Sequence, residues 1–177
     1  PNIVVMTPSN ENETRLMLTT AYEYKGPASV RYPRGSGPNV QVSDNLESLE
    51  IGKANIIREG SDKVIFLNFG SLLHEAITVS EALDLTLIDM RFVKPLDKEI
   101  LIKYLTTAEL FVSLEDGSIA GGAGSGVQEF CSEENIVIKS KLLGIPDIFI
   151  EHASREEMIK DAGLTAIQIE KTLLPLM

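Results

Sequence analysis

Two hydrophobic periods alternate along the chain, and the switches between them mark its elements. Ile3-Val4-Val5-Met6 is an unbroken apolar run, as in a strand covered on both faces. Thr7-Pro8-Ser9-Asn10 reads as a turn. Ser9 or Asn10 can cap a following helix, and Glu11 and Glu13 fall in its first turn, where the helix dipole favours acids. Met17, Leu18, Ala21 and Tyr24 form its apolar stripe, and Lys25-Gly26-Pro27 stops it. Ala28, Val30 and Tyr32 then alternate as a second strand, which Pro33 ends because it has no amide for a ladder. This β-α-β unit, with parallel strands, cannot bury a core alone. It is expected to be the end of a larger domain and to pack loosely or lean on the later residues of the chain. The chain starts at Pro1, in strand-like sequence, which suggests a piece of a longer polypeptide.

Residues 36–50 carry Ser, Gly, Pro, Asn and Asp without any period and read as a linker, with Leu46 and Leu49 free to dock on a neighbour. Strand patterns resume at 53–58 and 64–68. The short polar loop between them predicts an antiparallel pair. Helix and strand patterns then alternate. Leu73, Ala76, Ile77 and Ser80 share a helix face, and 86–88 is a strand. Asp97 opens a helix whose face is Ile100, Leu101, Tyr104 and Leu105, and 110–114 is a strand. Ser125-x-x-Gln128 has capping-box spacing for a helix that buries Val127, Phe130 and Cys131. Residues 136–138 and 142–143 supply the last strand. Ser154-x-x-Glu157 and Thr165-x-x-Gln168 start two closing helices. The predicted fold is α/β: a mostly parallel, doubly covered sheet with an antiparallel edge strand over residues 51–177, preceded by the β-α-β remnant of a second α/β domain in residues 1–35.

Composition narrows the function classes. A net charge of -10 disfavours nucleic acid as a partner, because such binding needs a basic face. No apolar run approaches the roughly 18 residues of a membrane helix, and the N-terminus has no export-signal pattern. Cys131 is the single cysteine, which excludes an internal disulfide and fits a reducing compartment.

Little of the sequence looks catalytic. Arg34, and Arg31 before it, stand at a strand end followed by Gly35-Ser36-Gly37-Pro38. A guanidinium there suits a phosphate or carboxylate. The plainer alternative is a surface charge or the partner of a nearby acid. Gly121-Gly122-Ala123-Gly124-Ser125-Gly126 lies between strand and helix, where a phosphate cradle would sit. It misses the dinucleotide fingerprint, since Val127 stands at the third required glycine, and no Gly-Lys-Ser/Thr follows. A flexible turn, or a backbone packed close to another chain, is favoured. His74 and His152 have no metal-ligand spacing. Glu115-Asp116 reads as an acidic turn, Cys131 as a core residue, and Asp89, Arg91, Lys94 and Asp97 as a local ion-pair set. No nucleophile, base and orienting group assemble in residues 51–177.

Several stretches together resemble one family: Pro1–Ser9, Ser29-Val30-Arg31-Tyr32-Pro33-Arg34-Gly35, Asn68-Phe69-Gly70, Asp89–Asp97, Gly121–Gly126 and Gly144-Ile145-Pro146-Asp147. In this order they resemble the C-terminal part of the bacterial 1-deoxy-D-xylulose-5-phosphate synthases. The 89–97 run is typical of transketolase C-terminal domains in general, and the arginine and glycine motifs narrow the match. The resemblance implies a thiamine diphosphate and Mg²⁺ enzyme. That enzyme decarboxylates pyruvate and joins the two-carbon unit to glyceraldehyde 3-phosphate, giving a precursor of isoprenoids, thiamine and pyridoxal. It implies a cytoplasmic homodimer with no membrane or nucleic-acid partner.

On this resemblance, residues 1–35 are the end of the pyrimidine-binding domain, 36–50 a linker and 51–177 the transketolase C-terminal domain. Arg34 matches the arginine that binds the acceptor's phosphate. Arg31 and Tyr32 share the motif without an assigned role, and Asn10 stands where the family often has Asp. The metal motif, the activating glutamate and the catalytic histidines have no counterpart in the chain. The fragment by itself is therefore expected to be inactive, with no catalytic or metal-binding residue and no bound cofactor. The alternative is the C-terminal dimerisation module of another thiamine enzyme, a transketolase or the β subunit of a 2-oxo acid dehydrogenase. A dinucleotide-binding domain is a distant third.

Overall fold

The computed structural model describes all 177 residues. Its N-terminal part is β1 (Val4–Met6), α1 (Glu11–Glu23) and β2 (Ala28–Val30), with β1 and β2 parallel. Asn10 caps α1 by accepting from the Glu13 amide at 2.9 Å. Three of the four residues of the expected α1 stripe face the small core: Met17 is buried, and Ala21 and Tyr24 pack against its cluster. Glu13, Met17 and Thr20 are buried, whereas Leu18 is exposed. Thr20 can be buried because its hydroxyl donates to Leu16 O and accepts from the Leu49 amide.

The larger sheet has the order β3-β5-β4-β7-β8, from β3 (Asn55–Arg58), β4 (Ser61–Phe69), β5 (Leu85–Asp89), β7 (Leu110–Ser118) and β8 (Lys139–Ile145). β5, β4, β7 and β8 run parallel, and β3 is the antiparallel edge. The period of two along β4 sends Val64 and Phe66 to one face and Ile65, Leu67 and Phe69 to the other. On the first face lie α2 (Leu73–Leu83), the short α5 (Arg155–Asp161) and α6 (Ala166–Leu173), with Ala76, Val79, Ile169 and Leu173 buried. On the second lie α3 (Lys98–Leu105) and α4 (Ala123–Glu133), which bury Leu101, Tyr104, Val127, Phe130 and Cys131. Asp97 caps α3, and the two capping boxes at Ser154 and Thr165 are both formed. No helix is long and apolar enough to cross a membrane.

Three expectations are corrected. The edge strand β3 does not pair with β4. Parallel β5 and β7 already occupy both edges of β4, so β3 pairs with the outer edge of β5. The tight β3–β4 link wraps the start of β5, where Arg58 Nη1 donates to Leu85 O at 2.8 Å. Ser125 and Gln128 form no capping box. α4 starts three residues earlier, with Gly122 as its cap, and these side chains instead bond Ile119 O and Ser140 Oγ. The last strand is 139–145. Residues 136–138 lie before it, and Val137 is fully exposed.

The charged run 89–97 holds a strand that the sequence pattern hides. β6 (Phe92–Lys94) pairs antiparallel with β1, giving a small sheet of order β2-β1-β6. Val4, Met6 and Met17 from the N-terminal unit close on Phe92, with Leu49 and Ile51 packed against them. The β-α-β unit thus leans on the later part of the chain. Residues 36–50 have no regular structure but are stitched along α1: Glu11 accepts from the Asn39 amide, Asn12 from the Ser43 amide, and Arg15 donates to Asp44 O. Leu49 docks and Leu46 stays exposed.

Candidate functional site

A cleft of about 600 Å³ opens where the N-terminal unit meets the larger sheet. One wall is the β1–α1 turn with Ser9, Asn10 and Glu11. The second is the segment after β2, including Tyr32 and Gly35. The third is the start of α2, with Ser71 and His74, joined by Arg155. The segment turns sharply at Gly35, whose φ of +144° suits glycine. Its far end is held by the Glu11 carboxylate, which accepts from the Asn39 amide at 2.7 Å. Hydrogen bonding, first from its own backbone amide and then from Asn39 and Val40, holds Glu11 below the usual carboxylate range against the opposing effect of burial.

Arg34 stands on this segment between two cleft-lining residues, Pro33 and Gly35. It is exposed and takes part in none of the chain's ion pairs, and neither does Arg31. Of the two plainer alternatives, Arg34 is not the partner of an acid within the chain, whereas its exposure fits a surface charge as well as it fits an anion-binding role. The positive charge paired at the cleft is Arg155, which donates to Ser71 Oγ at 2.9 Å and to Asp116 Oδ2 at 3.3 Å. His74 lines the cleft without a hydrogen-bonded ring, and His152 is exposed elsewhere.

Sequence reasoning missed the role of Glu115. It is buried, and its carboxylate accepts from the Ala123 amide at 2.9 Å and the Gly124 amide at 3.1 Å. The positive end of α4 is thus filled by the protein's own anion. Two of the four glycines of 121–126, Gly122 and Gly124, serve this close packing. A Cβ at Gly122 would collide with Ser118 O and the Glu115 carboxylate, and one at Gly124 with Ser113 Oγ. The run is neither a phosphate cradle nor a loose turn but a backbone packed against its own strand. The signal was the period of two along β7. Phe111 faces α4, so Ser113 and Glu115 do as well. Replacing Glu115 with Gln leaves one of two buried amides poorly matched and should cost about 1–3 kcal/mol of unfolding free energy, read by urea denaturation. No loss would mean that the first turn of α4 is satisfied without the carboxylate.

The charged run 89–97 is likewise not a local ion-pair set. Asp89 is buried and accepts from Asn68 Nδ2 at 3.1 Å. Arg91 reaches Glu13 of α1 at 2.6 Å, Asp97 caps α3, and Lys94 is exposed. Burial pushes the Asp89 carboxyl up to about 6, with Glu13 adding to the rise and Arg91, Asn68 and Ser9 opposing it. Ser9 Oγ stands beside that carboxylate without a well-formed hydrogen bond. Cys131 lies in the core, where burial pushes its thiol up. No three His, Cys, Asp or Glu side chains gather to hold a metal ion. With that, and with α4 capped internally, the chain's own residues do not fit a diphosphate–metal site.

The sequence of residues 52–169 matches the model of the transketolase C-terminal domain. The 1-deoxy-D-xylulose-5-phosphate synthase of Hahella chejuensis is 52% identical over 166 residues, 94% of this chain and 26% of its own length. That of Stutzerimonas stutzeri is 54% identical over 170 residues, 96% and 27% respectively. The chain thus spans about a quarter of the length of the curated relatives it matches. Among solved structures, a split-gene transketolase described as an inactive β4 tetramer superposes with a TM-score of 0.85 at 29% identity, covering 98% of this chain and 56% of that one. Transketolase from Campylobacter jejuni, at 16% identity and a TM-score of 0.65, shares the fold. With its parallel sheet, antiparallel edge and helices on both faces matched across residues 52–169, the chain belongs to the transketolase C-terminal domain family.

Proposed function

We propose that this chain is the C-terminal part of a 1-deoxy-D-xylulose-5-phosphate synthase. The parent joins the two-carbon unit of pyruvate to glyceraldehyde 3-phosphate with loss of CO₂. The observation that carries this reading is identity of 52% and 54% to two such synthases over 94% and 96% of this chain. In this reading residues 1–35 end the pyrimidine-binding domain, 36–50 link, and 51–177 form the C-terminal domain. The parent is a cytoplasmic homodimer. Thiamine diphosphate and Mg²⁺ are held by other parts of it.

Arg34 is the substrate-binding residue. Arg34 does not itself line the cleft but stands between Pro33 and Gly35, which do, and its exposed guanidinium can take two phosphate oxygens of the acceptor aldehyde at once. The neighbouring chain turns at Gly35 and is tied to α1 by the Glu11–Asn39 bond.

The test uses the full-length parent with pyruvate and either glyceraldehyde 3-phosphate or unphosphorylated glyceraldehyde. Arg34→Ala should lower kcat/KM for the phosphorylated acceptor roughly 10- to 150-fold, the equivalent of about 1.5–3 kcal/mol for a lost charge-assisted contact. Kinetics with glyceraldehyde should barely change. Equal losses on both acceptors would make Arg34 structural. A parent that forms no deoxyxylulose phosphate, but transfers two-carbon units between sugar phosphates, would be a transketolase.

A further inference from the structure

The β1–α1 turn is anchored from the far side of the chain. Arg91, between β5 and β6, bonds it in two ways. Its carbonyl accepts from the Thr7 amide at 2.9 Å, and its Nη2 donates to Glu13 Oε1 at 2.6 Å across 78 residues of sequence. Glu13 in turn offers its own amide to Asn10 Oδ1 at 2.9 Å, and Asn10 lines the cleft. One continuous path therefore runs from Arg91 through Glu13 to Asn10. Both ends of the ion pair are largely buried, with side-chain exposures of 18% and 10%. Water screens such a pair poorly, and the loss of one partner strands the other.

The backbone of Arg91 supports a special role. Its φ is +59°, a left-handed conformation that side-chain-bearing residues seldom adopt. It persists where the surroundings over-determine it. Here the surroundings are the Thr7 bond on one side and β6, paired with β1, on the other. The conformation lets one residue present its carbonyl to the turn and its guanidinium to α1.

We infer that Arg91 is a positioning residue: through Glu13 it fixes where Asn10 and the β1–α1 turn stand at the cleft, so that residues 51–177 set the geometry of the acceptor site. This rests on the function proposed above. Arg91 itself does not line the cleft, so its effect must travel through Glu13 and Asn10.

The experiment compares four forms of the full-length parent: wild type, Arg91→Met, Arg91→Lys, and the double variant Glu13→Gln/Arg91→Met, which leaves no member of the ion pair charged. The readouts are KM for each substrate, kcat and Tm. Arg91→Met should raise KM for glyceraldehyde 3-phosphate roughly 10- to 100-fold, as expected when a bound group is misplaced by about an ångström. KM for pyruvate should stay near wild type. Arg91→Lys should restore part of the loss. The double variant should show the same acceptor defect with a Tm nearer to wild type.

An unchanged acceptor KM in a folded variant would overturn the inference. So would KM values for both substrates that rise together in step with a falling Tm. If the wild-type parent makes no deoxyxylulose phosphate, the proposed function fails, and the positioning role is judged by amide exchange in the same full-length parent. There Arg91→Met should speed exchange at Thr7 and Glu13 while β4 and β7 amides keep their wild-type rates. Unchanged exchange at Thr7 and Glu13 would refute it.

Discussion

Phe92→Ala should loosen the N-terminal unit by about 3–5 kcal/mol, the usual cost of truncating a fully buried phenylalanine. Phe92 has no exposed surface and is the only member of its core cluster's buried set from the later part of the chain; the others are Val4, Met6 and Met17. The two main clusters of the larger sheet do not include it. The loss should therefore be local. Amides of β1 and α1 should exchange far faster, while those of β4 and β7 hold their protection. An even drop across all four elements would show that the small sheet and the large one unfold as a single cooperative unit.

Asp89→Asn should stabilise the protein at neutral pH. Burial raises the carboxyl from 3.8 to about 6, so the folded state binds a proton more readily than the unfolded one. The contribution of this group is then greatest below pH 4. It is lost as pH rises through about 6, beyond which the buried charge is carried at full cost. The charged groups that face it are Glu13 from α1 and Arg91 from the turn before β6. The polar ones are Asn68 from β4 and Ser9 from the β1–α1 turn. An asparagine keeps an acceptor for Asn68 Nδ2 and carries no charge. The gap in unfolding free energy between variant and wild type should thus open between pH 4 and 6. It should reach at most about 3 kcal/mol above pH 6 and close again in acid. Denaturant titrations at a series of pH values measure it. A variant less stable than wild type at pH 7.5 would mean that Arg91 needs the Asp89 carboxylate as well as that of Glu13.

Much of the fold was readable because it is written locally. β1 and β4 carry unbroken apolar runs at Val4–Met6 and Val64–Leu67, and the caps at Asn10, Asp97, Ser154 and Thr165 are short-range side-chain signatures. What escaped reading depends on partners distant in sequence. β6 is three residues long, ends in a lysine, and becomes a strand only because β1 lies beside it. Glu13 resembles any first-turn acid until Arg91 arrives from 78 residues away. Glu115 reads as an exposed acid after a strand, yet it lies inside β7 and its carboxylate turns inward to the amides at the start of α4. At the cleft, the segment after β2 was visible because Pro33 and Gly35 mark a strand end. The wall opposite it, formed by Ser71, His74 and Arg155, was not.

The arrangement of β3, β5 and β4 constrains the order in which the chain can assemble during synthesis. β3 and β4 leave the ribosome two residues apart, but the finished ladder places β5 between them. A nascent chain that zips residues 55–58 directly onto β4 has closed a hairpin that must reopen before residues 85–89 can enter. β3 has no lasting partner until α2 has brought β5 back alongside β4. The first strand of the large sheet to be synthesised is therefore held in waiting, and the sheet grows outward from β4 rather than from its N-terminal end.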